Sequence, residues 1–459
     1  MVKVLLAHCY YRLRGGEDLC FEAERSLLQA YGAQVISFTR DNGDIGSRKG
    51  GSFLGVAPGA ELRRALEAGR PHLAHFHNTF PLLPPSAWSV CRDRDIPVVQ
   101  TLHNYRLICP KAILERAGSA CELCVGRTFA WPGVGHRCYR GSHALTAVVA
   151  ALSAFQRGVS VRRGDVDLLI TMTEFARSKF IQGGLPRDRL VVKPNFAPDP
   201  GPPEPIHRDG SVVYVGRLSE EKGVGDLLHA VSLLGAQRRL RIVGDGPERP
   251  DLERTALELG FGAGVFVGAI PADRVVEEMR RAMLVVVPSR CYESFPRVIV
   301  EAFASGRPVV GARVGAIAEI VREGQSGALF EPGSVEDLAR ALEGAVSDWQ
   351  DLERMGRAAR REYELRYTPE VNYVRLMGIY RLALERAGRP VPERMKEFPA
   401  ADPARPEAPP AYVGQGSQSQ QDSDPPIPSY GPTRRTGHPG LADAVRDNGR
   451  DGAREHDAR

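Results

Sequence analysis

The sequence predicts an α/β protein in which two parallel-sheet domains follow each other along the chain and face a cleft. Short runs of β-branched and aliphatic residues alternate with longer helical stretches over residues 2–173, and the same alternation restarts over residues 211–312. Such alternation is typical of a parallel sheet covered by helices on both faces. Between the two series, the prolines and glycines of residues 194–210 predict a linker. The length of 459 residues also suits two domains with additional segments.

The individual strands and helices follow from the same pattern. The expected strands of the first domain are VKVLLAH (2–8), QVISF (34–38), LAHFHN (73–78), PVVQTLH (97–103) and DLLITMT (167–173). Those of the second domain are SVVYVG (211–216), RLRIVG (239–244), VFVG (265–268), MLVVVPS (283–289) and PVVGA (308–312). Amphipathic stretches such as residues 18–30 predict the connecting helices. We therefore expect domains at residues 1–197 and 205–365, and a C-terminal helix at residues 366–390 that crosses back onto the first domain.

Residues 391–459 differ in composition from the rest of the chain. Pro, Ser, Gln, Asp and Arg dominate this segment, and large apolar residues are scarce. Such a segment cannot bury enough apolar surface to offset its ordering entropy, so the sequence predicts a disordered tail.

Composition and charge exclude several classes of protein. A formal net charge of +5 is too small for this length to indicate a nucleic-acid-binding protein, although it favours anionic ligands. No run of eighteen or more apolar residues predicts a membrane span, and the N-terminal residues read as a buried strand without a signal-peptide cleavage site. We expect a cytoplasmic protein whose chemistry is compatible with peripheral contact at the inner face of the membrane.

The second domain opens with two cations at the end of its first strand. In YVGRLSEEKGV (214–224), Arg217 and Lys222 follow that strand at its carboxyl end, where ligands bind in open α/β sheets. A basic pair is often only a solvated face, but this placement favours the binding of a diphosphate. Glycines after the next two strands, in GDGPE (244–248) and FVGAIP (266–271), permit close backbone approach of a ligand or form ordinary turns. They add Gly244, Gly246 and Gly268 to the candidate ligand-binding residues.

The most informative segment is ESFPRVIVEAFASGRPVVGARVGAIAEIV (293–321). Glu293 lies in a loop after the strand at 283–289, and Glu301 follows on a helix expected at residues 296–305. Carboxylates are bidentate acceptors for vicinal hydroxyls, as on a sugar or a ribose. The start of this helix presents backbone N–H groups to a ligand, which adds Ser294, Phe295 and Pro296 to the candidate ligand-binding residues. The structural alternative is that Glu301 forms a salt bridge and Glu293 caps the helix.

These motifs together resemble those of the family 4 glycosyltransferases, which have the GT-B fold. Four patterns occur in the family's order: GRLSEEKGV, GDGPE, the E-x7-E spacing and the GRPVV-x4-G-x3-E continuation. The resemblance covers residues 1–388. It implies a retaining transfer of a sugar from a nucleotide-sugar donor, without a metal cofactor for chemistry. By the same resemblance Arg217 and Lys222 bind the diphosphate, Glu293 binds the donor sugar and Glu301 binds the ribose.

The resemblance also assigns residues of the first domain. Gly15 and Gly16, at a strand-to-helix turn, are implied to line the phosphate side of the cleft, and His103 is implied to contact the donor sugar and the transition state. Asn104 follows His103 where the family commonly has aspartate. Asn78 and Thr79 follow a neighbouring strand and could face the acceptor. We expect His103 and Glu293 to be the catalytic pair, and the acceptor to be a glycan or a lipid-linked saccharide of polysaccharide or cell-envelope biosynthesis.

Residues 103–142 form an insertion with no clear helix or strand period. Four of the eight cysteines lie in it: Cys109, Cys121, Cys124 and Cys138. They form one C-x2-C with two flanking cysteines, a pattern that fits a tetrahedral structural zinc site and free buried thiols equally well. Because the insertion follows a strand end, we expect it to overhang the acceptor side.

Two other functions are compatible with the same fold. One is a nucleotide-sugar epimerase of GT-B architecture, and the other is a non-catalytic protein that binds nucleotide. The E-x7-E spacing and the intact Arg217, Lys222 and Glu293 favour the transferase.

Overall fold

The computed structural model describes residues 1–12, 15–44, 59–161, 163–208, 211–235, 239–262 and 264–403. Within these ranges the chain folds into two domains, each with a six-stranded parallel sheet, and a separate two-stranded hairpin. This arrangement confirms the predicted fold class. No helix in the described ranges combines the length and apolar content that a membrane crossing requires.

The first domain contains most of the elements before residue 197. Its strands are β1 (Lys3–Tyr10), β2 (Gln34–Asp41), β3 (Leu73–Phe76), β4 (Val98–Thr101), β5 (Glu115–Arg116), β6 (Ser119–Ala120), β7 (Leu168–Thr171) and β8 (Leu190–Val192). Its helices are α1 (Gly16–Ala30), α2 (Gly59–Gly69), α3 (Ser86–Arg92), α4 (Trp131–Gly135), α5 (His143–Phe155) and α6 (Glu174–Gln182). The insertion supplies β5, β6 and α4, so it has short elements of its own.

The second domain begins at residue 211. Its strands are β9 (Ser211–Val215), β10 (Leu240–Val243), β11 (Phe266–Gly268), β12 (Ala282–Val287), β13 (Val309–Ala312) and β14 (Gly327–Phe330). The helices from here to the end of the described chain are α7 (Val224–Leu233), α8 (Arg249–Glu258), α9 (Ala272–Arg281), α10 (Arg297–Ala304), α11 (Gly315–Ile320), α12 (Val335–Ser347), α13 (Trp349–Arg366), α14 (Pro369–Arg386) and α15 (Glu393–Lys396).

The strand order locates the ligand-binding edge of each sheet. The first sheet has the order β2-β1-β3-β4-β7-β8, and the second has the order β11-β10-β9-β12-β13-β14. The order reverses direction beside β1 and β3 in the first domain and between β9 and β12 in the second. In open α/β sheets a crevice forms at such a reversal, outside the carboxyl ends of the strands. The loops after β1, β3, β9 and β12 are therefore where a ligand site is expected.

Both faces of the first sheet are buried, and the chain's last helices cover one of them. Leu5 and Ala7 of β1 join a cluster with the helices on one face, whereas Val4 and Leu6 join a cluster that includes α14. The hydroxyl of Tyr380 on α14 lies 2.8 Å from Nδ1 of His75 on β3. The C-terminal helix therefore packs on the first domain, although it follows the second domain in sequence.

The structure differs from the predicted start of the disordered tail. Met395 on α15 is fully buried, and Phe398 and Ala401 pack against the same cluster as α14. The backbone N–H of Ala401 donates to the Gly378 carbonyl over 3.2 Å. Residues 391–403 are therefore part of the first domain's packing, because a few apolar side chains suffice to dock an otherwise polar segment. Residues 404–459 lie outside the described ranges.

Candidate active site

A lysine and a glutamate meet at the reversal point of the second sheet. Lys222 follows β9 and Glu293 follows β12, and the Lys222 ammonium lies 2.9 Å from Glu293 Oε1. Burial lowers the pKa of Lys222, but the negative charge of Glu293 outweighs it and raises the pKa above its usual value. The Ser289 hydroxyl also donates to Glu293. The site thus holds a permanent positive charge beside a carboxylate, close to the N-terminus of α10.

Two further predicted donor residues carry charged partners of their own. Arg217 Nη2 lies 2.8 Å from Glu221 Oε1, and its side chain is 66% exposed. Glu301 on α10 pairs with Arg297 one turn earlier, at 3.1 Å. Glu301 therefore does form the salt bridge that was the structural alternative. A ligand at Glu301 would share its carboxylate with Arg297.

The glycines after β10 are required by packing. A Cβ atom at Gly244 would lie 1.9 Å from the Gly216 carbonyl oxygen, and one at Gly246 would lie 2.2 Å from the Leu218 carbonyl oxygen. The loop after β10 thus rests directly on the loop that carries Arg217. Gly268 has a left-handed φ of +82°, which an L side chain rarely adopts. These three glycines shape the donor loops, whether or not their backbone contacts the ligand.

The glycine turn after β1 is open and firmly anchored. A Cβ atom at Gly15 or Gly16 would meet no atom within 4 Å, so a ligand can approach the backbone. The Gly15 N–H donates to Asp18 Oδ2 over 2.9 Å, while Asp18 Oδ1 lies 2.8 Å from His8 Nε2. Asp18 is buried and fixes the start of α1. Leu13 and Arg14 of this turn lie outside the described residues.

His103 ends a buried chain of hydrogen bonds. Its Nε2 lies 2.9 Å from Nδ1 of His77, whose Nε2 lies 3.1 Å from Glu24 Oε1. Burial lowers the pKa of His77 to about 4, and burial with the proximity of His77 lowers the pKa of His103 well below its usual value. Both rings are therefore neutral near pH 7.

The carboxylate at the end of this chain determines the tautomers. Burial raises the pKa of Glu24, but the Lys193 ammonium at 2.9 Å and the neighbouring imidazoles hold it well below its usual value, so Glu24 is ionised. An ionised carboxylate only accepts, so His77 donates from Nε2 and accepts at Nδ1. His103 must then donate from Nε2, which leaves its Nδ1 as a hydrogen-bond acceptor. Glu24 and His77 therefore position the ring of His103.

A cavity of about 140 Å³ opens at the reversal point of the first sheet. His103 and Thr79 line it, together with Asn78. The Asn78 amide is already committed, because Nδ2 donates to the Cys9 carbonyl over 2.8 Å and Oδ1 accepts from the Phe80 N–H over 3.1 Å. Asn78 therefore shapes the loop, and Thr79 is the better of the two candidates for contact with an acceptor.

The sequence analysis missed Glu17, which also lines this cavity. Its carboxylate accepts from the Asn104 amide over 2.8 Å and from the Tyr11 hydroxyl over 3.0 Å. Burial raises the pKa of Glu17 despite these two donors. The signal that could have revealed it is its position directly after Gly15 and Gly16, at the first turn of a helix.

Contacts between the two domains bring the two half-sites together. The Ser294 hydroxyl donates to the His103 carbonyl, and the Tyr105 hydroxyl donates to the Glu293 carbonyl over 3.4 Å. A second contact between the domains is made by Glu319 of α11, which accepts from the backbone N–H groups at the start of α6, at 2.9 and 2.7 Å. His103 and Glu293, the predicted catalytic pair, therefore belong to one site.

Among the described residues, three or more candidate metal ligands come within 4.8 Å of one another only at Glu24, His75 and His77. This group already contains a cation, because the buried Lys193 ammonium lies against the same carboxylate. The positive charge of Lys193 therefore already neutralises the negative charge of Glu24.

Two family models match the chain. The model described as "Glycosyl transferases group 1" matches residues 202–362, and the model described as "Glycosyl transferase 4-like domain" matches residues 13–195. The two matches cover the two α/β domains, whose arrangement is the GT-B fold. The chain therefore belongs to the group 1, or family 4, glycosyltransferases.

Individual proteins resemble parts or all of this architecture. The sulfoquinovosyl transferase SQD2 of Arabidopsis thaliana is 38% identical over 156 residues, which is 33% of this chain and 30% of that protein. The chain thus spans about a third of that relative. A solved structure of sucrose-phosphate synthase from Thermosynechococcus elongatus has a TM-score of 0.61 at 18% identity and covers 84% of this chain and all of that one. Anabaena Alr3699/HepE in complex with UDP has a TM-score of 0.58 at 21% identity, with coverage of 81% and 97%. Both structures share the fold.

Proposed function

We propose that this protein is an enzyme that transfers a sugar from a nucleoside diphosphate sugar to an acceptor hydroxyl, with retention of the anomeric configuration. The observation that carries the proposal is the pair of Lys222 and Glu293, 2.9 Å apart at the sheet reversal of the second domain and joined through their loop to His103. A cation there suits a departing diphosphate, and a carboxylate suits sugar hydroxyls.

The proposed mechanism is a front-face displacement. The bond between the anomeric carbon and the diphosphate oxygen breaks as the acceptor oxygen bonds to the same face of that carbon, and the acceptor proton passes to the departing oxygen. Lys222 and Arg217 stabilise the charge that develops on the diphosphate. Glu293 and the His103 Nδ1 acceptor hold donor hydroxyls, so the protein contributes orientation and electrostatics and needs no metal cofactor for chemistry.

The proposed donor is a UDP-sugar, since Alr3699/HepE, which shares this fold, binds UDP in its solved complex. The proposed acceptor is a glycan or lipid-linked saccharide bound in the cavity that Thr79 and Glu17 line. A lipid-linked acceptor would bring the protein to a membrane surface, and the net charge of +5 would favour an anionic one.

A nucleotide panel tests the donor site before the acceptor is known. Thermal unfolding is followed with UDP, GDP and ADP for the full chain, for Lys222→Ala and for Arg254→Ala. Arg254 is a control of equal charge, because it pairs with Asp251 on an exposed face of α8. We expect UDP to raise the unfolding temperature of the parent and of Arg254→Ala by more than it raises that of Lys222→Ala. Equal stabilisation of all three proteins, or none by any nucleotide, would overturn the donor site.

The reaction itself is tested with the stabilising donor and a saccharide acceptor panel, without added divalent cation. Release of nucleoside diphosphate with an α-configured product from an α-configured donor, seen by NMR, is the expected outcome. An inverted product would overturn the mechanism, and a donor sugar isomerised without transfer would identify an epimerase.

A further inference from the structure

The start of the insertion at residues 103–142 joins the apolar core of the first domain, through Tyr105, Leu107, Ile108, Cys109 and Leu114, whereas residues 115–142 have little apolar core of their own. Its elements are two strands of two residues each and one helix of five residues. The separate apolar cluster beneath it consists of three buried residues, Cys124, Ala130 and Ala150, with two partly buried neighbours. A segment with so small a core needs some other restraint, because ordering each residue costs conformational entropy.

The same segment contains unusual backbone conformations. Five of the seven non-glycine residues with positive φ in the described ranges lie there: Ala112, Leu114, Ala117, Arg137 and Arg140. Left-handed conformations of this kind are unfavourable and persist only where the surroundings fix them. The insertion therefore has a definite shape, and its second part, residues 115–142, has few apolar contacts to fix that shape.

Four cysteines from three separate stretches of the insertion line one small cavity. Cys109, Cys121, Cys124 and Cys138 all border a space of about 10 Å³, the size of a single ion or water molecule. The Cys121 N–H donates to the Leu114 carbonyl over 2.7 Å, which brings the second stretch to the first, and the Cys138 N–H donates to the Gly133 carbonyl over 3.0 Å, which fixes Cys138 to the end of α4.

Gly133 marks the centre of this convergence. A Cβ atom there would lie 3.3 Å from Cys124 Sγ and 3.0 Å from Pro110, the neighbour of Cys109. Cys9 and Cys91 belong to the same first-domain core as Cys109, but these two do not border the cavity. Their burial is that of ordinary small apolar side chains.

We propose that Cys109, Cys121, Cys124 and Cys138 bind one structural zinc ion. Four thiolates complete a tetrahedron and leave no open position, so the ion stabilises the insertion and takes no part in sugar transfer. Binding releases the thiol protons and changes no oxidation state. No three of the four sulfur atoms lie within 4.8 Å of one another among the described residues, so metal binding requires their side chains to rotate around the shared cavity. Arg116, which lines the same cavity, offsets part of the excess negative charge.

The zinc site supports a wall of the cleft. The hairpin of β5 and β6 reaches the second domain, where a Cβ atom at Gly118 would lie 3.4 Å from Glu220 Oε1. Glu122 pairs with Lys179 at 2.7 Å and accepts from the hydroxyl of Tyr292 in the second domain. The insertion thus contacts the donor domain and does not overhang the acceptor side alone.

Elemental analysis of the full chain, purified without added metal, is the primary test. We expect about one zinc per chain, with the partly exposed thiols of Cys121 and Cys138 reacting with a thiol reagent only after a chelator is added. A parent protein with less than about a tenth of an equivalent of zinc and no zinc uptake after reduction would overturn the proposal, whatever its variants do. Four thiols lost to disulfides would overturn it as well.

Variants identify the ligands. Cys121→Ser and Cys138→Ser should each lose at least half of the bound zinc, whereas Cys91→Ala should keep it. His136→Gln is the second control, because His136 also lines the cavity and is an alternative ligand. If the serine variants fail to fold, replacement of zinc by Co²⁺ in the parent gives an independent measurement through the strong absorption of cobalt–thiolate bonds. Absence of that absorption, or loss of metal in His136→Gln alone, would contradict a four-thiolate site. Metal content is measured independently of sugar transfer. A protein without zinc would therefore contradict this proposal and leave the proposed glycosyltransferase activity untouched.

Discussion

Replacement of Lys222 by alanine is the most direct test of the proposed transition-state stabilisation. The Lys222 side chain is 23% exposed, and its ammonium lies 2.9 Å from Glu293 Oε1. At an effective dielectric constant of about 20, two unit charges about 4 Å apart interact by about 4 kcal/mol. The negative charge of Glu293 repels the diphosphate, so the net stabilisation of the diphosphate by this pair is smaller than about 4 kcal/mol. We expect the turnover number to fall by about 10²–10³-fold, as for other preorganised groups that face developing charge.

The kinetic signature separates this role from simple binding. The charge on the departing oxygen grows in the transition state, so Lys222→Ala should reduce kcat much more than it raises the KM for donor. Nucleoside diphosphate release is measured under saturating donor and acceptor for the parent, for Lys222→Ala and for the exposed control Arg254→Ala, whose rate should stay within a factor of two. A loss of less than about threefold in kcat, or one confined to KM, would show that Lys222 serves only to neutralise Glu293.

Three further changes test other parts of the structure. Glu301→Ala should weaken binding of free UDP by about tenfold or more in calorimetry, because a charged acceptor for the ribose hydroxyls is lost; unchanged affinity would leave Glu301 with its contact to Arg297 alone. His77→Gln should lower kcat by up to about tenfold without changing the KM for donor, because the ring of His103 loses its partner; an unchanged kcat in a protein that unfolds at a lower temperature would make His77 purely structural. Met395→Ala should reduce the free energy of unfolding by about 2–5 kcal/mol in denaturant titrations, whereas deletion of residues 404–459 should leave it unchanged; the opposite ranking would show that α15 is not docked in solution.

The strands of both sheets and the loops at their carboxyl ends could be predicted, because each is marked by residues that are close together in the sequence. Buried parallel strands read as continuous apolar runs, and the loop after each run carries the chemistry that the fold places at one edge. Lys222 and Glu293 could therefore be placed in one site although they lie 71 positions apart. The distance between them and the contact of Ser294 with His103 depend on how two domains meet, which no periodicity encodes.

The buried polar chain behind His103 could not be predicted from its residues. Glu24, His77 and His103 come from a helix and two strands, and each alone reads as an ordinary polar residue at an element's end. Only the strand order shows that β3 and β4 are neighbours and bring the two imidazoles together. Sequence composition failed for a different reason at Met395, because an average over a polar, proline-rich segment hides single apolar side chains that dock.

The position of α14 on the first sheet has a consequence for how the protein is made. One face of the first sheet is covered by α1 and by a helix that begins at Pro369, so the first half of the chain leaves the ribosome with part of that face uncovered. The second domain can complete its own core before the last helix covers the first domain. Nascent chains that stall between the two domains would expose the part of the sheet around His75, which Tyr380 of α14 contacts, and such chains are the form of this protein that chaperones and proteases should recognise.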